Sequence, residues 1–439
     1  MSTATFREVI DHSDMENFQI RTVIICLIGS VITGLSILLL PFTAPAIAED
    51  WNLDPATLGT LLSSTLIGMT IGSFILGPIA DVYGRRSVLI FCMLLMTIGF
   101  FYSAYAPDTA SLMIARVITG LGIGGSLPCY NTLVAEYSSL KRRDLCIGLI
   151  VTSGALSGII GGTASAYLID AYDWRTAFKA AGILALVTIP IIVIWLPESV
   201  DYLLTKRKSD TLNKINVLLK KMQHKTIDEL PEVSKEKNDK QGFKVLLSKS
   251  LFLRTILMWI SCLMVFTSFY FCTSWIPKLL VNEGWELSKA IYAMVLMNVG
   301  GLGSGVIFGV IATRFSYRVS IAFVLTGAII MFILFGYLGS NQALIYVMPL
   351  LLGVFVFSTL TSQYALLPRL YEPSIRNTGT GWALAVGKLG AISGPYFAGV
   401  LLSRGWESFS LFYLFSLTYA CALVIVLLIW RLERRDLLG

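Results

Sequence analysis

Charge is what this sequence has least of. Only 14% of its 439 residues are Asp, Glu, Lys or Arg, and its mean hydropathy is +0.74. Soluble domains carry roughly 25% charged residues, so a water-soluble globular class is excluded. Histidine is nearly missing. His12 and His224 both fall in polar segments, which excludes a histidine proton relay inside a membrane. No Asp or Glu lies deep within any apolar run. The seven cysteines (Cys26, Cys92, Cys129, Cys146, Cys262, Cys272, Cys421) sit in or at the ends of such runs. They lack metal-ligand or disulfide-framework spacing and read as small apolar fillers. The first twenty residues lack the basic segment, short apolar core and cleavage site of a signal peptide, so the first apolar run is expected to be retained. No nucleophile–base pair or metal set is visible within the runs. An enzyme is therefore not expected, nor is a cofactor.

Long apolar runs are what the chain has instead. Twelve of them, centred near residues 33, 67, 99, 122, 156, 186, 263, 301, 328, 354, 391 and 419, can each cross about 30 Å of hydrocarbon as a helix. Gly and Pro interrupt them, and none alternates with period 2, which argues for helices over a β-barrel. The expected class is an all-α membrane protein with twelve transmembrane helices. The net charge of +7 then needs no nucleic-acid partner. With the N-terminus inside, 27 of the 34 Lys and Arg fall on the cytoplasmic side, and Arg175, Lys179, Lys278, Lys289 and Arg404 face outward. Arg116 and Lys388 stay within spans. Such asymmetry over short loops places both termini in the cytoplasm, in the plasma (inner) membrane.

Two halves are legible in this order. Spans 1 to 6 end near Leu196 and spans 7 to 12 begin near Leu251, giving bundles at 1–198 and 251–439 with a cytoplasmic linker at 199–250. The linker holds twelve lysines and arginines, and its NKINVLLKKMQHK stretch reads either as a solvated connection or as an amphipathic surface helix. GPIADVYGRR (77–86) matches GVIATRFSYR (309–318) at an offset of 232. Arg143, Gly148, Gly154 and Gly161 match Arg376, Gly381, Gly387 and Gly394 at 233. Two pseudo-symmetric six-helix bundles of parallel topology are one known transporter design.

The spacing G-x-x-x-D-x-x-G-R-R, from Gly77 through Asp81 and Gly84 to Arg85 and Arg86, resembles the loop between spans 2 and 3 of the major facilitator superfamily. Val82 stands where a basic residue is usual, and the second-half copy has Thr313 in the Asp position, followed by Arg314. The resemblance implies a cytoplasmic charge network that latches one conformation, with Glu136 and Arg143 after span 4 and Glu372 and Arg376 after span 10 as partners. Span 4 (ARVITGLGIGGSLP), LPES at 196–199 and the Gly-rich run 376–395 extend the likeness. It is nearest to the aromatic acid/proton symporter branch. That branch usually has D-G-x-D in span 1, where this chain has Thr33 to Ser36 (TGLS), and Arg in span 11, where it has Lys388. Arginine keeps its charge, whereas lysine can release a proton. Lys388 could then serve as both anion clamp and proton site.

An ion deep in a span costs at least about 2.5 kcal/mol, so such charges usually face a cavity and carry function. Arg116 and Lys388, with no deep acid in the sequence to neutralise them, point to an anionic ligand. Aromatic residues suit a ring: Tyr270 and Trp275 in span 7, Tyr364 in span 10, Trp382 in span 11. Asn298 and Gln363 are polar candidates because a buried amide requires a partner, and Thr33 and Ser36 complete the set. The reading is a secondary transporter, acting as a monomer in the lipid bilayer, that imports a small organic anion by alternating access. An aromatic carboxylate fits best, and proton symport follows from the resemblance. An exporter or antiporter of organic anions or drugs, a uniporter, and a non-transporting sensor stay open as alternatives.

The topology is testable directly. A fluorescent protein fused after Gly439 should fluoresce, and alkaline phosphatase at the same point should be inactive; the reverse pattern would overturn the cytoplasmic C-terminus.

Overall fold

The computed structural model describes residues 10–11, 13–206, 210–223, 226, 230, 245–248, 251–338, 344, 346–372 and 375–436; His12 and His224 lie outside the described residues. Twelve of the described helices are long and apolar enough to cross a membrane. In chain order the first six are α1 (Asn17–Asp50), α2 (Pro55–Tyr83), α3 (Arg85–Ala104), α4 (Thr109–Tyr137), α5 (Leu140–Ala171) and α6 (Trp174–Trp195). Two short helices follow, α7 (Val200–Lys206) and α8 (Thr211–Lys221). The second six are α9 (Phe252–Asn282), α10 (Leu287–Arg314), α11 (Tyr317–Leu338), α12 (Val347–Leu370), α13 (Arg376–Ser403) and α14 (Ser410–Asp436). The expected fold class is therefore observed. Short loops start helices with a recurring device. Asp54 accepts from the backbone N–H of Ala56 and Thr57, Asp108 from Ser111 and Asp173 from Thr176, each a side-chain cap on an otherwise unpaired first turn. The Thr57 hydrogen bonds hold the Asp54 carboxyl below its ordinary range.

Packing groups the described chain into two compact units. The first comprises the described residues within 1–37, 67–157 and 178–236; the second those within 38–66, 158–177 and 237–439. Helices α1, α2, α5 and α6 each contribute to both.

In the first unit, α2 and α4 cross with their backbones in contact. A methyl group on Gly68 would collide with the Val117 carbonyl, and one on Gly124 with that of Met69. Small residues allow such approach, and in lipid it is close packing, not water exclusion, that holds helices together. In the second unit, α10 and α12 make the same crossing. A methyl on Gly300 would strike the Leu350 carbonyl, and one on Gly353 would strike that of Met297. Gly68 and Gly300 are 232 residues apart; Val117 and Leu350, like Gly120 and Gly353, are 233 apart. The internal repeat thus reaches the atoms that touch.

The second unit also contains the ends of α1, α2 and α5 remote from the N-terminus. Leu38 and Phe42 of α1, Ala166 of α5 and Ile291 and Met294 of α10 form one buried cluster. Gly59 of α2 meets Gly399 of α13 backbone to backbone, and Ser63 donates to the Ile392 carbonyl at 2.9 Å. The linker departs from a purely solvated connection. Ile215, Leu219 and Met222 are fully buried within the first unit, so α8 is an amphipathic helix with its apolar face covered.

Replacing Gly68 or Gly300 by Val should each cost about 1–3 kcal/mol through overpacking. Gly148→Ala, where a methyl meets nothing within 4 Å, should not lower stability. Thermal melts of the purified variants in detergent check this.

Candidate functional site

Three of the proposed binding residues lie in the first unit, and all are fully buried. Thr33 donates to the Gly29 carbonyl at 2.9 Å and lies 3.2 Å from Ser126 Oγ. Ser36 donates to the Ile32 carbonyl at 2.8 Å and reaches Met96 Sδ at 3.5 Å. Arg116, seven residues into α4, is enclosed between α3, α4 and α6. Its Nε donates to Ser103 Oγ at 3.0 Å, and its Nη2 to Thr119 Oγ1 at 2.5 Å and the Gly99 carbonyl at 3.4 Å. The guanidinium carbon lies 4.9 Å from the Phe178 ring centroid and 5.4 Å from that of Phe100, so two π-faces supplement neutral acceptors. Nη1 has no hydrogen-bond partner among the described residues. Arg116 shares no described contact with Thr33 or Ser36.

The second unit holds the other five. Asn298 is buried on α10, its Nδ2 donating to the Met294 carbonyl at 2.8 Å. A methyl on Gly158 of α5 would collide with this amide, so the glycine makes room for it. Gln363 is also enclosed, donating to Ser261 Oγ at 3.3 Å and accepting from Cys262 Sγ at 3.7 Å. Tyr364, about 100° further round α12, is half exposed. It belongs to an aromatic group centred on Phe266, whose ring lies 6.5 Å from Tyr364 and 6.2 Å from Tyr270; Phe269 continues the group 5.2 Å beyond Tyr270. Lys388 sits near the middle of α13 and is half-buried. The residue before it, Gly387, backs onto the Phe266 ring. Gly387, and not Lys388 itself, is the α13 residue that meets the aromatic group. The two tryptophans differ. Trp275 is fully buried and donates to the Pro395 carbonyl at 3.0 Å. Trp382 stacks on Trp259 at 6.1 Å. Phe266 was not legible as a site residue, because one phenylalanine among 24 carries no sequence signal.

The charged loop motif folds into a connected network inside the first unit. Arg85 pairs with Glu136 and with Asp81, the latter at 3.9 Å. Glu136 accepts from Ser199 Oγ at 3.0 Å and from the Val200 N–H at 2.9 Å. Glu198 accepts from the backbone N–H of Arg86 at 3.0 Å, placing a carboxylate on the N-terminus of α3. Gly84 has φ of 98°, and a side chain there would collide with that carboxylate. Arg143 pairs with Asp11 and donates to the Ala135 and Ser138 carbonyls at 3.2 Å. Tyr137 donates to the Glu198 carbonyl at 2.7 Å, and Gln19 to that of Tyr137 at 3.0 Å. Asp11, Gln19, Tyr137, Glu198 and Ser199 are members the motif reading missed, although LPES contains two of them. At Gly77 a methyl would meet nothing within 4 Å, so close packing does not explain that glycine. Glu372, Arg376 and Arg314 are exposed, and none makes an ion pair among the described residues.

Twelve spanning helices, a glycine crossing repeated in both halves and a charged loop after the second span define a polytopic membrane carrier. The sequence profile described as Major Facilitator Superfamily matches residues 26–367, and the chain belongs to that family. It is a family of transporters and not of enzymes. The 4-hydroxybenzoate transporter PcaK of Acinetobacter baylyi is 31% identical over 92% of this chain and 90% of its own length. A benzoate transport protein of the same organism is 29% identical over 96% and 92%, and the gallate transporter of Pseudomonas putida 28% over 96% and 94%. Among solved structures, the xylose transporter XylE from E. coli, in a partially occluded inward open conformation, superposes with a TM-score of 0.74. It covers 95% of this chain and 98% of its own at 16% identity, a likeness of fold alone.

Glu198→Ala and Gly84→Ala should each lower stability, by about 1 kcal/mol or more for the lost helix-terminal acceptor. Gly77→Ala should not. Thermal melts of the three variants separate the outcomes.

Proposed function

We propose that this transporter imports a small aromatic carboxylate across the plasma (inner) membrane by alternating access with proton symport. The halves 1–198 and 251–439 are the moving bodies, and both termini face the cytoplasm. The observation that carries the reading is Lys388, a half-buried lysine near the middle of α13 whose sequence neighbour Gly387 packs on Phe266, the centre of an aromatic group with Tyr270 and Tyr364. An ammonium binds a carboxylate through charge-assisted hydrogen bonds, and the tyrosine and phenylalanine faces suit the ring. Several similar proteins carry names of this substrate class, among them transporters of 4-hydroxybenzoate, benzoate and gallate. Thr33 and Ser36 hold the positions where the resemblance places acids, so the proton has no span 1 carboxylate to ride on. Lys388 takes that part in this reading. Asn298 and Gln363 support the site from within the packed helices of the second unit, and the Arg85–Glu136–Glu198 network holds one conformational state by ion pairs that can break and reform.

Proteoliposomes given labelled 4-hydroxybenzoate test this. Uptake driven by an inward proton gradient is expected, and larger uptake by everted than by right-side-out vesicles would establish export instead. Lys388→Ala should weaken binding roughly 10- to 100-fold, as loss of a hydrogen bond from a charged group does. Lys388→Arg should retain binding but change the pH dependence of uptake. Identical pH dependence in that variant and the wild type would remove Lys388 from proton coupling.

A further inference from the structure

A cleft of about 620 Å³ opens in the first unit where α1 begins, α2 ends, α3 begins and α6 ends, with α7 and α8 along its side. It belongs to neither the candidate binding residues nor the aromatic group. Five cations line it: Arg21, Arg86, Lys206, Lys214 and Lys221. The one carboxylate on its wall, Glu198, is already occupied by the Arg86 and Ser199 N–H groups. Lys214 is paired with Asp210 at 3.6 Å, but no ion pair among the described residues neutralises Arg21, Lys206 or Lys221. Arg21 and Lys221 come from different helices yet converge on one ring, at 5.3 and 6.0 Å from the centroid of Phe18. Buried Nε of Arg86 has no hydrogen-bond partner among the described residues. Like charges gathered this closely repel unless an anion joins them.

The apolar part of the wall says which anion. Ile194 and Trp195 close α6 at 68% and 47% exposed, and Tyr83 closes α2 at 66%. Exposed aromatic residues at the ends of spans sit at headgroup level, and an exposed isoleucine beside them faces acyl chains. A soluble anion has no use for that surface. We propose that this cleft binds an anionic phospholipid of the leaflet on the N-terminal side. Its phosphate sits among Arg21, Lys206 and Lys221, and its chains lie against Ile194 and Trp195. The lipid thereby ties α7 and α8 to the bundle, since Lys206 and Lys221 come from the connecting segment and Arg21 from α1. Basic pockets between membrane helices recognise lipid headgroups by this same combination. The inference is independent of which substrate is carried.

Native mass spectrometry of the full-length protein, with thermal melts in parallel, tests it using phosphatidylglycerol, phosphatidylcholine and free glycerol 3-phosphate. Retention of phosphatidylglycerol over phosphatidylcholine is expected, with stabilisation by the former alone. The triple variant Arg21→Gln, Lys206→Gln, Lys221→Gln should lose that preference by roughly tenfold or more. A control with Lys141→Gln and Arg142→Gln, two exposed cations elsewhere, should keep it. Should the triple variant fail to fold, the exposed Lys206→Gln alone should reduce retention. Equal retention of both lipids, or an undiminished preference in the variants, would overturn the proposal. Stabilisation by glycerol 3-phosphate equal to that by phosphatidylglycerol would overturn the lipid assignment in favour of a soluble phosphate.

Discussion

Hydrocarbon supplies no hydrogen bonds, and most of what this chain does follows from that. Backbone groups are satisfied within helices, and side-chain hydroxyls turn back onto the preceding turn, as Thr33 does to Gly29, Ser36 to Ile32 and Thr119 to Ala115. A guanidinium cannot be satisfied that way. Arg116 instead gathers Ser103, Thr119, the Gly99 carbonyl and two phenylalanine faces from three helices. The same solvent removes any hydrophobic drive between helices, so adhesion depends on how near two backbones can come. Gly68 against Val117 and Gly300 against Leu350 are two of the points where that requirement is met.

The crossing is repeated, whereas the acid of the charged motif is not. At the end of the first unit nearest the N-terminus, Arg85, Glu136, Ser199 and Glu198 link the α2–α3 turn, the α4 end and the α6 exit into one network. The corresponding positions of the second half carry Thr313 for Asp81, and Glu372 and Arg376 are exposed. Backbone packing and the charge network therefore rest on different residues. Glycine contacts are short-ranged and must survive any conformational change within a bundle, which keeps them identical in both halves. Ion pairs at a water boundary contribute modestly and are screened, so one half can lose them without losing its fold.

Length, apolarity and the offsets of 232 and 233 made the twelve spans and the repeat legible, because each rests on properties of the chain in one dimension. Depth was legible for the same reason: Arg116 and Lys388 sit within spans as counted. Rotation about the helix axis was not. Gln363 and Tyr364 are neighbours in sequence, yet one is enclosed against Ser261 and the other half exposed. Trp275 looked available for a ring and is committed to the Pro395 carbonyl. The partners of Arg116 are small and neutral, on helices whose relative orientation no single sequence states. Glu198 was visible in LPES, but its task as a cap on α3 depends on where α6 ends beside Gly84. For α8 the sequence left a solvated connection and an amphipathic helix both open, because what covers an apolar face depends on the fold; Ile215 and Leu219 are buried.

Hydroxyls stand in span 1 at the positions where the resemblance implies acids. Thr33 and Ser36 are satisfied by their own helix and by Ser126 and Met96, so hydroxyls there leave no unmet polar demand. Arg116 in turn is surrounded by neutral groups, which makes a carboxylate in span 1 unnecessary for its solvation. Of the two cations within spans, Arg116 is enclosed and Lys388 is half-buried. In the proposed mechanism anion recognition and proton exchange then fall on one lysine. A lysine can do both in sequence, where arginine, permanently charged, could only bind.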